Sequence, residues 1–165
     1  MGDVGSLGPS QPRKGPRHCS SVVSSTVVSS SLPYVASLLL SAAVVVASVI
    51  PLGAARSRAN FQLSDLRAPR AMFDRLPPWG QRASWAHQNS FEAFGLHAPA
   101  ALLCLALGVA SPTAALAAWL HPALRLAYIG AYVGDVPPLR GLCWAAGLVC
   151  TGVLYAEGLR AVLAG

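Results

Sequence analysis

Charged residues are scarce in this 165-residue chain: they make up only 11% of it, and lysine occurs once, at Lys14. A typical soluble domain carries about 25% charged residues. So few charges cannot cover the water-facing surface of a folded domain of this size, and 54% of the residues are hydrophobic. The composition therefore predicts a single-domain integral membrane protein.

Cysteine is also scarce, with four residues and no two of them at CxxC spacing. Cys104, Cys143 and Cys150 lie inside apolar segments, where cysteine usually acts as a small hydrophobic residue. The histidines are not paired at a metal-ligand spacing either. We therefore predict neither a disulfide framework nor a metal site.

Acidic residues are outnumbered by basic ones, six against twelve, which leaves a net charge of +6. The basic residues are almost all arginines, and they cluster between apolar segments rather than along one basic helix. Arginine in that position flanks a membrane span and faces anionic lipid or the cytoplasm. We therefore expect membrane lipid as a partner, and no nucleic acid.

The first 31 residues differ from the rest of the chain, being rich in serine, glycine and proline. With three basic residues and one acid, they are typical of a disordered tail. A targeting segment such as a transit peptide has a similar basic, serine-rich composition. Residues 32–165 are predicted to form the folded domain.

Four apolar segments follow, each about as long as the 20 residues that a helix needs to cross a bilayer. The first is longer than the apolar region of a signal peptide, about 7–15 residues, so a retained helix is favoured. Ser111 and Pro112 are typical of the cap and first turn of the third helix. We predict an all-α, four-transmembrane-helix bundle with spans over about residues 32–55, 81–109, 112–133 and 139–163.

The loop between the first two spans, residues 56–82, holds six arginines against two aspartates. The positive-inside rule places this loop in the cytoplasm. Because four spans return the chain to its starting side, both termini are expected on the opposite side. The sequence therefore predicts a multi-pass membrane protein with a cytoplasmic Arg-rich loop.

Polar side chains share one face of the second predicted helix. At about 100° per residue, Asn89 falls about 20° from Arg82 and Glu92 about 80° to the same side. Phe91 and Phe94 point away from this seam. A polar seam in lipid must face protein, a cavity or a ligand. Two interpretations stay open: a ligand site, or hydrogen bonds that hold neighbouring helices together.

The third helix repeats this pattern, because Arg125, Tyr128 and Tyr132 are spaced i, i+3 and i+7 and share one face. A charge inside a span is costly unless it is paired. Glu92 is the only acid in the second span, so it is the expected salt-bridge partner of Arg125. Simpler roles also stay open: an interfacial aromatic belt for the tyrosines, and a headgroup anchor for Arg140.

Together these motifs resemble the MAPEG family, membrane-associated proteins in eicosanoid and glutathione metabolism. Its members carry a motif like Arg-Ala-x-x-Asn-x-x-Glu at the start of the second helix, which Ala86, Asn89 and Glu92 match. His87 matches a histidine that some members carry. The segment "ALRLAYIGAY" resembles the family's third-helix Arg-x-x-Tyr-x-x-x-Tyr pattern, and Arg140 resembles the arginine that opens the fourth helix. The short loops resemble those of prokaryote-like members.

The resemblance implies a homotrimer of four-helix bundles that binds glutathione, as a co-substrate, between subunits near the cytoplasmic face. It implies transferase, peroxidase or leukotriene synthase activity on a lipophilic small molecule. Arg140 would be the catalytic residue that activates the thiol. The residues that would hold glutathione are Asn89, Glu92, Arg125, Tyr128 and Tyr132.

One position departs from the family motif, since Trp85 stands where the motif has its arginine. Arg82 lies one turn earlier, about 60° away on the same seam. Its long side chain makes it the expected substitute in holding glutathione. If Arg82 does not reach, the site lacks one contact to a carboxylate.

Three classes of function are compatible with these features. The first is a glutathione-dependent transferase or peroxidase, in which a neighbouring arginine favours the thiolate. The second is a non-catalytic membrane protein that keeps the fold and uses the polar seam for helix packing. The third is a small transporter or channel subunit, but no inverted repeat and no broken helix at the midplane is evident.

Overall fold

The computed structural model describes the backbone of residues 19–164 and the side chains of residues 31–164. All regular structure in this part of the chain is helical, which confirms the predicted fold class at that level. The elements in order are α1 (Cys19–Ala47), α2 (Val49–Arg58), two short 3-10 helices (Leu63–Arg67 and Pro69–Arg75), α3 (Pro78–Ala106), α4 (Pro112–Val133) and α5 (Pro137–Ala164).

Helices α3, α4 and α5 lie at the positions of the second, third and fourth predicted segments. The cap predicted for α4 is confirmed, because the hydroxyl oxygen of Ser111 accepts a hydrogen bond from the backbone N–H of Ala114. Helix α1 begins at Cys19, inside the segment expected to be disordered. Serine and valine fill much of this stretch and are only moderately unfavourable in helices. The rest of the predicted tail, residues 1–18, lies outside the described residues.

The first predicted segment contains a break at Ser48, between α1 and α2. Pro51 explains where the break falls, since a proline ring clashes with the carbonyl of residue i−4, which here is Ala47. The Ser48 hydroxyl donates to the carbonyl oxygen of Val45 at 2.5 Å. The chain therefore changes from one helix to the next without leaving this hydroxyl unpaired.

Two helical segments are long and apolar enough to cross a membrane, judged by length and composition: Ser31–Arg58, near the N-terminus, and Pro137–Ala164. Within the described residues, α3 and α4 do not meet these criteria of length and composition; α3 carries the polar seam, and α4 carries His121 and Arg125. Large apolar side chains are nonetheless exposed on all four long helices, including Leu39, Leu102, Leu116 and Leu148. Such a surface suits a lipid environment better than water.

Small residues fill the centre of the helix bundle. Helices α1 and α5 each pack against both α3 and α4. The largest buried cluster includes the alanines Ala100, Ala101, Ala114, Ala117 and Ala118. Small side chains allow helix backbones to approach closely in membranes. An especially close approach is at Gly80 of α3, where an added Cβ would lie 2.5 Å from the Cβ of Ala55 in α2.

Asp65 organises the Arg-rich loop between α2 and α3. The backbone N–H of Gln62 donates to its carboxylate at 2.9 Å, and the Arg75 guanidinium forms an ion pair with it. The Gln62 hydrogen bond, followed by the contact with Arg75, holds the pKa of Asp65 below its usual value. The ionised carboxylate therefore ties the two 3-10 helices together.

Gly80→Ala is expected to destabilise the bundle, because the new methyl group meets the Cβ of Ala55, which cannot rotate away. Adding a methyl group to a packed core typically costs about 1–3 kcal/mol. Gly95→Ala on the same helix is the matched control, since no atom lies within 4 Å of its added Cβ. Thermal unfolding in detergent should show a lower midpoint for the Gly80 variant only, and equal midpoints would contradict this packing.

Acidification is expected to loosen the Arg-rich loop. Because folding lowers the pKa of Asp65, its stabilising effect is present above the unfolded carboxyl pKa, about 3.9. It is lost as the pH falls through the lower folded value. Pepsin should therefore cleave the loop faster as the pH drops below about 4. The Asp65→Asn variant should be cleaved quickly both above and below about pH 4. The Asp74→Asn variant should show the same dependence of the cleavage rate on pH as the unaltered protein.

Candidate functional site

Asn89 and Arg125 form the central polar contact between α3 and α4. The Arg125 side chain is buried, and its Nη2 donates to the side-chain oxygen of Asn89 at 3.0 Å and to the Asn89 carbonyl oxygen at 3.2 Å. The guanidinium also lies over the Tyr128 ring, 4.2 Å from its centroid. The polar seam of α3 and the polar face of α4 therefore meet inside the bundle.

The prediction of a salt bridge between Arg125 and Glu92 is wrong. No ion pair joins them in the part of the chain that the structure describes, because Asn89 occupies the guanidinium instead. The Glu92 carboxylate is exposed and accepts hydrogen bonds from the side-chain amides of Gln88 and Asn89, each at 3.3 Å. Glu92 is therefore available to a ligand at the surface of α3.

Two tyrosines lie between two arginines along one face of α4 and the start of α5. The Tyr128 and Tyr132 rings meet edge to face, with centroids 5.4 Å apart. The Arg140 guanidinium lies 4.6 Å from the centroid of the Tyr132 ring. A cation–π contact holds an arginine in place without using its hydrogen-bond donors. Arg140 is therefore positioned against Tyr132 with its donors available to a ligand.

An open groove of about 380 Å³ lies over this face. Its volume falls within the range of about 300–1,000 Å³ that is usual for small-molecule sites. The groove is lined by Trp85, Gln88, Asn89, Glu92, Tyr128 and Tyr132. The structure thus brings four of the predicted binding residues to one groove, while Arg125 supports it from behind through Asn89 and Tyr128.

Arg82 is not among the residues that line this groove. Its guanidinium donates to the carbonyl oxygen of Val133 at 3.4 Å and forms an ion pair with Asp135 at 3.3 Å. Trp85 lines the groove itself and packs against Phe73, with ring centroids 5.5 Å apart. Arg82 therefore ties α3 to the turn between α4 and α5, and an aromatic side chain fills the position of the motif arginine.

A larger groove of about 1080 Å³ lies between α2, the second 3-10 helix and α3. Its basic residues are Arg56, Arg70 and His87. It shares Trp85, Gln88 and Glu92 with the smaller groove. The His87 ring is fixed because its Nδ1 lies 2.6 Å from the Ser48 hydroxyl. The Arg-rich loop therefore forms one wall of a cavity, which the sequence did not predict.

Two buried histidines form a polar core that sequence reasoning missed. The rings of His97 and His121 stack in parallel, with centroids 3.5 Å apart. The Ser37 hydroxyl lies 2.7 Å from Nε2 of His97, and the Ser41 hydroxyl lies 3.1 Å from Nδ1 of His121. Thr151 of α5 lies 3.3 Å from Nδ1 of His97. All four long helices therefore meet at this pair of rings.

The hydrogen bonds assign the proton of the His97 ring. The Thr151 hydroxyl donates to the carbonyl oxygen of Gly147 at 3.2 Å, so towards His97 its oxygen must accept. In the neutral ring, Nδ1 of His97 therefore carries the proton and donates to Thr151, and Nε2 accepts from the Ser37 hydroxyl. Both ring nitrogens of His97 are thereby paired.

A sequence signal for these histidine contacts was present on α1 and just after it. Ser37, Ser41 and Ser48 are spaced i, i+4 and i+11, which in a continuous helix places them on one side. All three are buried, and each contacts a histidine of α3 or α4. A serine stripe on an apolar span therefore indicates which of its faces meets polar partners.

The family model for MAPEG matches residues 34–160. The match begins in α1 and ends in α5, so it includes every residue of the groove. No curated protein and no solved structure matches the chain significantly. The family resemblance drawn from the motifs is thereby confirmed.

Asn89→Leu is expected to destabilise the protein more than Asp135→Asn. The first change leaves the buried guanidinium of Arg125 without its side-chain acceptor, at a cost of about 1–3 kcal/mol. The second weakens an exposed ion pair, which is worth about 0–1 kcal/mol. Asparagine also tolerates the positive φ of 60° at position 135. Thermal unfolding in detergent measures the stability of both variants. Similar decreases in their unfolding midpoints would contradict a central role for the Asn89 contact.

Proposed function

Because the chain belongs to the MAPEG family of membrane proteins, we propose that it is a glutathione-dependent transferase or peroxidase acting on lipophilic electrophiles. The observation that carries this proposal is the groove where Asn89, Glu92, Tyr128 and Tyr132 lie together. The Arg140 guanidinium lies over the ring of Tyr132, which lines the groove. These are residues that the motifs nominated for binding and for activation of the thiol.

The residues of the groove suit the polar groups of glutathione, which carries an ammonium group, two carboxylates and a thiol. The exposed Glu92 carboxylate is the natural acceptor for the ammonium group. Tyrosine hydroxyls and the Gln88 side-chain amide can donate to a carboxylate. Since Trp85 replaces the motif arginine and Arg82 is engaged by Asp135, we expect one carboxylate to be held without a guanidinium.

Arg140 is proposed to favour the reactive form of the thiol. A thiol with a pKa of about 8.5 is mostly protonated at neutral pH, and the thiolate is the nucleophile. A neighbouring guanidinium stabilises the thiolate, because arginine stays charged and offers several donors. In the transfer reaction the sulfur bonds to the electrophilic carbon, the leaving group departs with its electron pair, and the thiol proton goes to solvent.

We further propose a four-span bundle that assembles as a homotrimer with the Arg-rich loop in the cytoplasm. The exposed apolar side chains on the long helices support the four spans. The groove is open, so a neighbouring copy packed against it would close it. The positive-inside rule supports the orientation of the loop.

A thiolate titration tests this proposal. The purified protein should bind glutathione, develop thiolate absorbance and conjugate a generic aryl halide. Arg140→Ala should lose the thiolate signal, whereas Glu92→Gln should weaken glutathione binding by about tenfold, as expected for one charge-assisted hydrogen bond. Arg160→Ala is the matched control, because that arginine is exposed on α5 and pairs with Glu157.

A stable, folded protein that neither binds glutathione nor forms thiolate would contradict the enzyme proposal. The polar seam would then serve only to hold the helices together. Loss of the thiolate in Arg160→Ala to the same extent as in Arg140→Ala would contradict the specific role of Arg140.

A further inference from the structure

Large apolar side chains are exposed on the Arg-rich loop between α2 and α3. Phe61, Leu63 and Leu66 are 44%, 82% and 62% exposed. The two leucines belong to the first 3-10 helix, Leu63–Arg67, and side chains at i and i+3 of a 3-10 helix lie one above the other. Leu63 and Leu66 therefore project from the same side of that helix, and we call this pair the leucine ridge.

The loop folds back against the ends of the long helices. Met72 of the second 3-10 helix is fully buried, and Leu76 packs in one buried cluster with Ala55 of α2. The ion pair between Asp65 and Arg75 joins the first 3-10 helix to the second. The leucine ridge is therefore held close to the level where α2 ends, and α2 belongs to a segment apolar enough to cross a membrane.

The charges beside the leucine ridge favour an anionic surface. Arg67 and Arg70 are exposed, and neither forms an ion pair with an acid of residues 31–164. The acid within the helix, Asp65, is only 15% exposed and is paired with Arg75. The loop as a whole carries six arginines against two aspartates. Basic segments next to a membrane span are attracted to anionic phospholipids.

A membrane surface fits the leucine ridge better than a second protein does. Stable protein interfaces bury about 800 Å² on each partner and involve about 20–30 residues a side. The ridge offers two leucines on a five-residue helix, which is far less than such an interface needs. The apolar face of a helix can enter the boundary between headgroups and acyl chains, about 5–10 Å deep, without a partner of matching shape.

We propose that the first 3-10 helix is an interfacial anchor, which docks onto a bilayer surface that contains anionic phospholipid. Leu63 and Leu66 enter the apolar edge of the leaflet, while Arg67 and Arg70 contact lipid phosphate groups. The second 3-10 helix lines the larger groove through Arg70 and Phe73, so the same contacts hold a wall of that groove beside the membrane. The anchor does not depend on glutathione binding.

Spin labels test where the leucine ridge lies. A nitroxide is attached at Leu66→Cys or at Ser64→Cys in the full chain, whose four native cysteines are replaced by alanine. The protein is placed in nanodiscs of phosphatidylcholine and phosphatidylglycerol. Oxygen concentrates in lipid and a nickel chelate in water, so their effects on relaxation report the surroundings of the label. The label at position 66 should respond mainly to oxygen, and the label at position 64, on another side of the helix, more to nickel.

Proteolysis provides a second test that keeps the native cysteines. Trypsin cleaves after arginine, so docking should protect the peptide bonds after Arg67 and Arg70, and more strongly with phosphatidylglycerol than in phosphatidylcholine alone. Leu66→Asp should raise this cleavage rate about tenfold, as expected for the loss of one inserted leucine. Ser64→Asp is the matched control, because it adds the same charge to the helix and keeps both leucines. Both positions are exposed, so neither change disturbs the core.

Three results would overturn the anchor. The first is equal access of the nickel chelate to positions 66 and 64. The second is a label at position 66 that neither reagent reaches, since that marks a contact with protein. The third is trypsin cleavage that depends neither on phosphatidylglycerol nor on Leu66→Asp. Absence of the proposed glutathione activity would leave all of these measurements unchanged, so the two proposals fail separately.

Discussion

Buried hydrogen bonds between serine and histidine hold α1 against the rest of the bundle. Apolar burial gives helices little reason to associate within lipid, where the tails are as apolar as leucine. The core is built mainly of alanine and other small residues, so close approach and polar contacts must supply the cohesion. Ser37, Ser41 and Ser48 each contact a histidine, and the Tyr34 hydroxyl adds a buried hydrogen bond to the carbonyl oxygen of Val109.

The same polar core positions the candidate site. His121 and Arg125 are one turn apart on α4, so the stack that fixes the first residue also fixes the height of the second. Arg125 in turn donates a hydrogen bond to Asn89 and packs against the ring of Tyr128, and both of these residues line the groove. The residues at the surface therefore depend on a network that reaches through the bundle to α1 and α5.

Local features of this fold could be predicted from the sequence, and partners from distant segments could not. Helical periodicity identified the seam and the face of α4, and Ser111 with Pro112 marked where α4 begins. Periodicity does not fix the height of one helix against another, and a difference of about one turn decided that Arg125 meets Asn89 rather than Glu92. Similarly, whether Arg82 pairs with a ligand or with Asp135 depends on a turn about 50 residues away.

The spacing of Ser37 and Ser41 on α1 and of Ser48 just after it has a consequence for the register of α1 against α3 and α4. Ser37 and Ser41 are one turn apart, so two contacts alone would let α1 slide by a turn and keep a serine opposite one histidine. Ser48 removes that ambiguity, because a slide in either direction brings Leu52 or Val44 to its position. Only one of the three pairs survives either slide, and each histidine left unpaired costs about 1–3 kcal/mol. The uneven spacing thus permits a single register of α1 against α3 and α4.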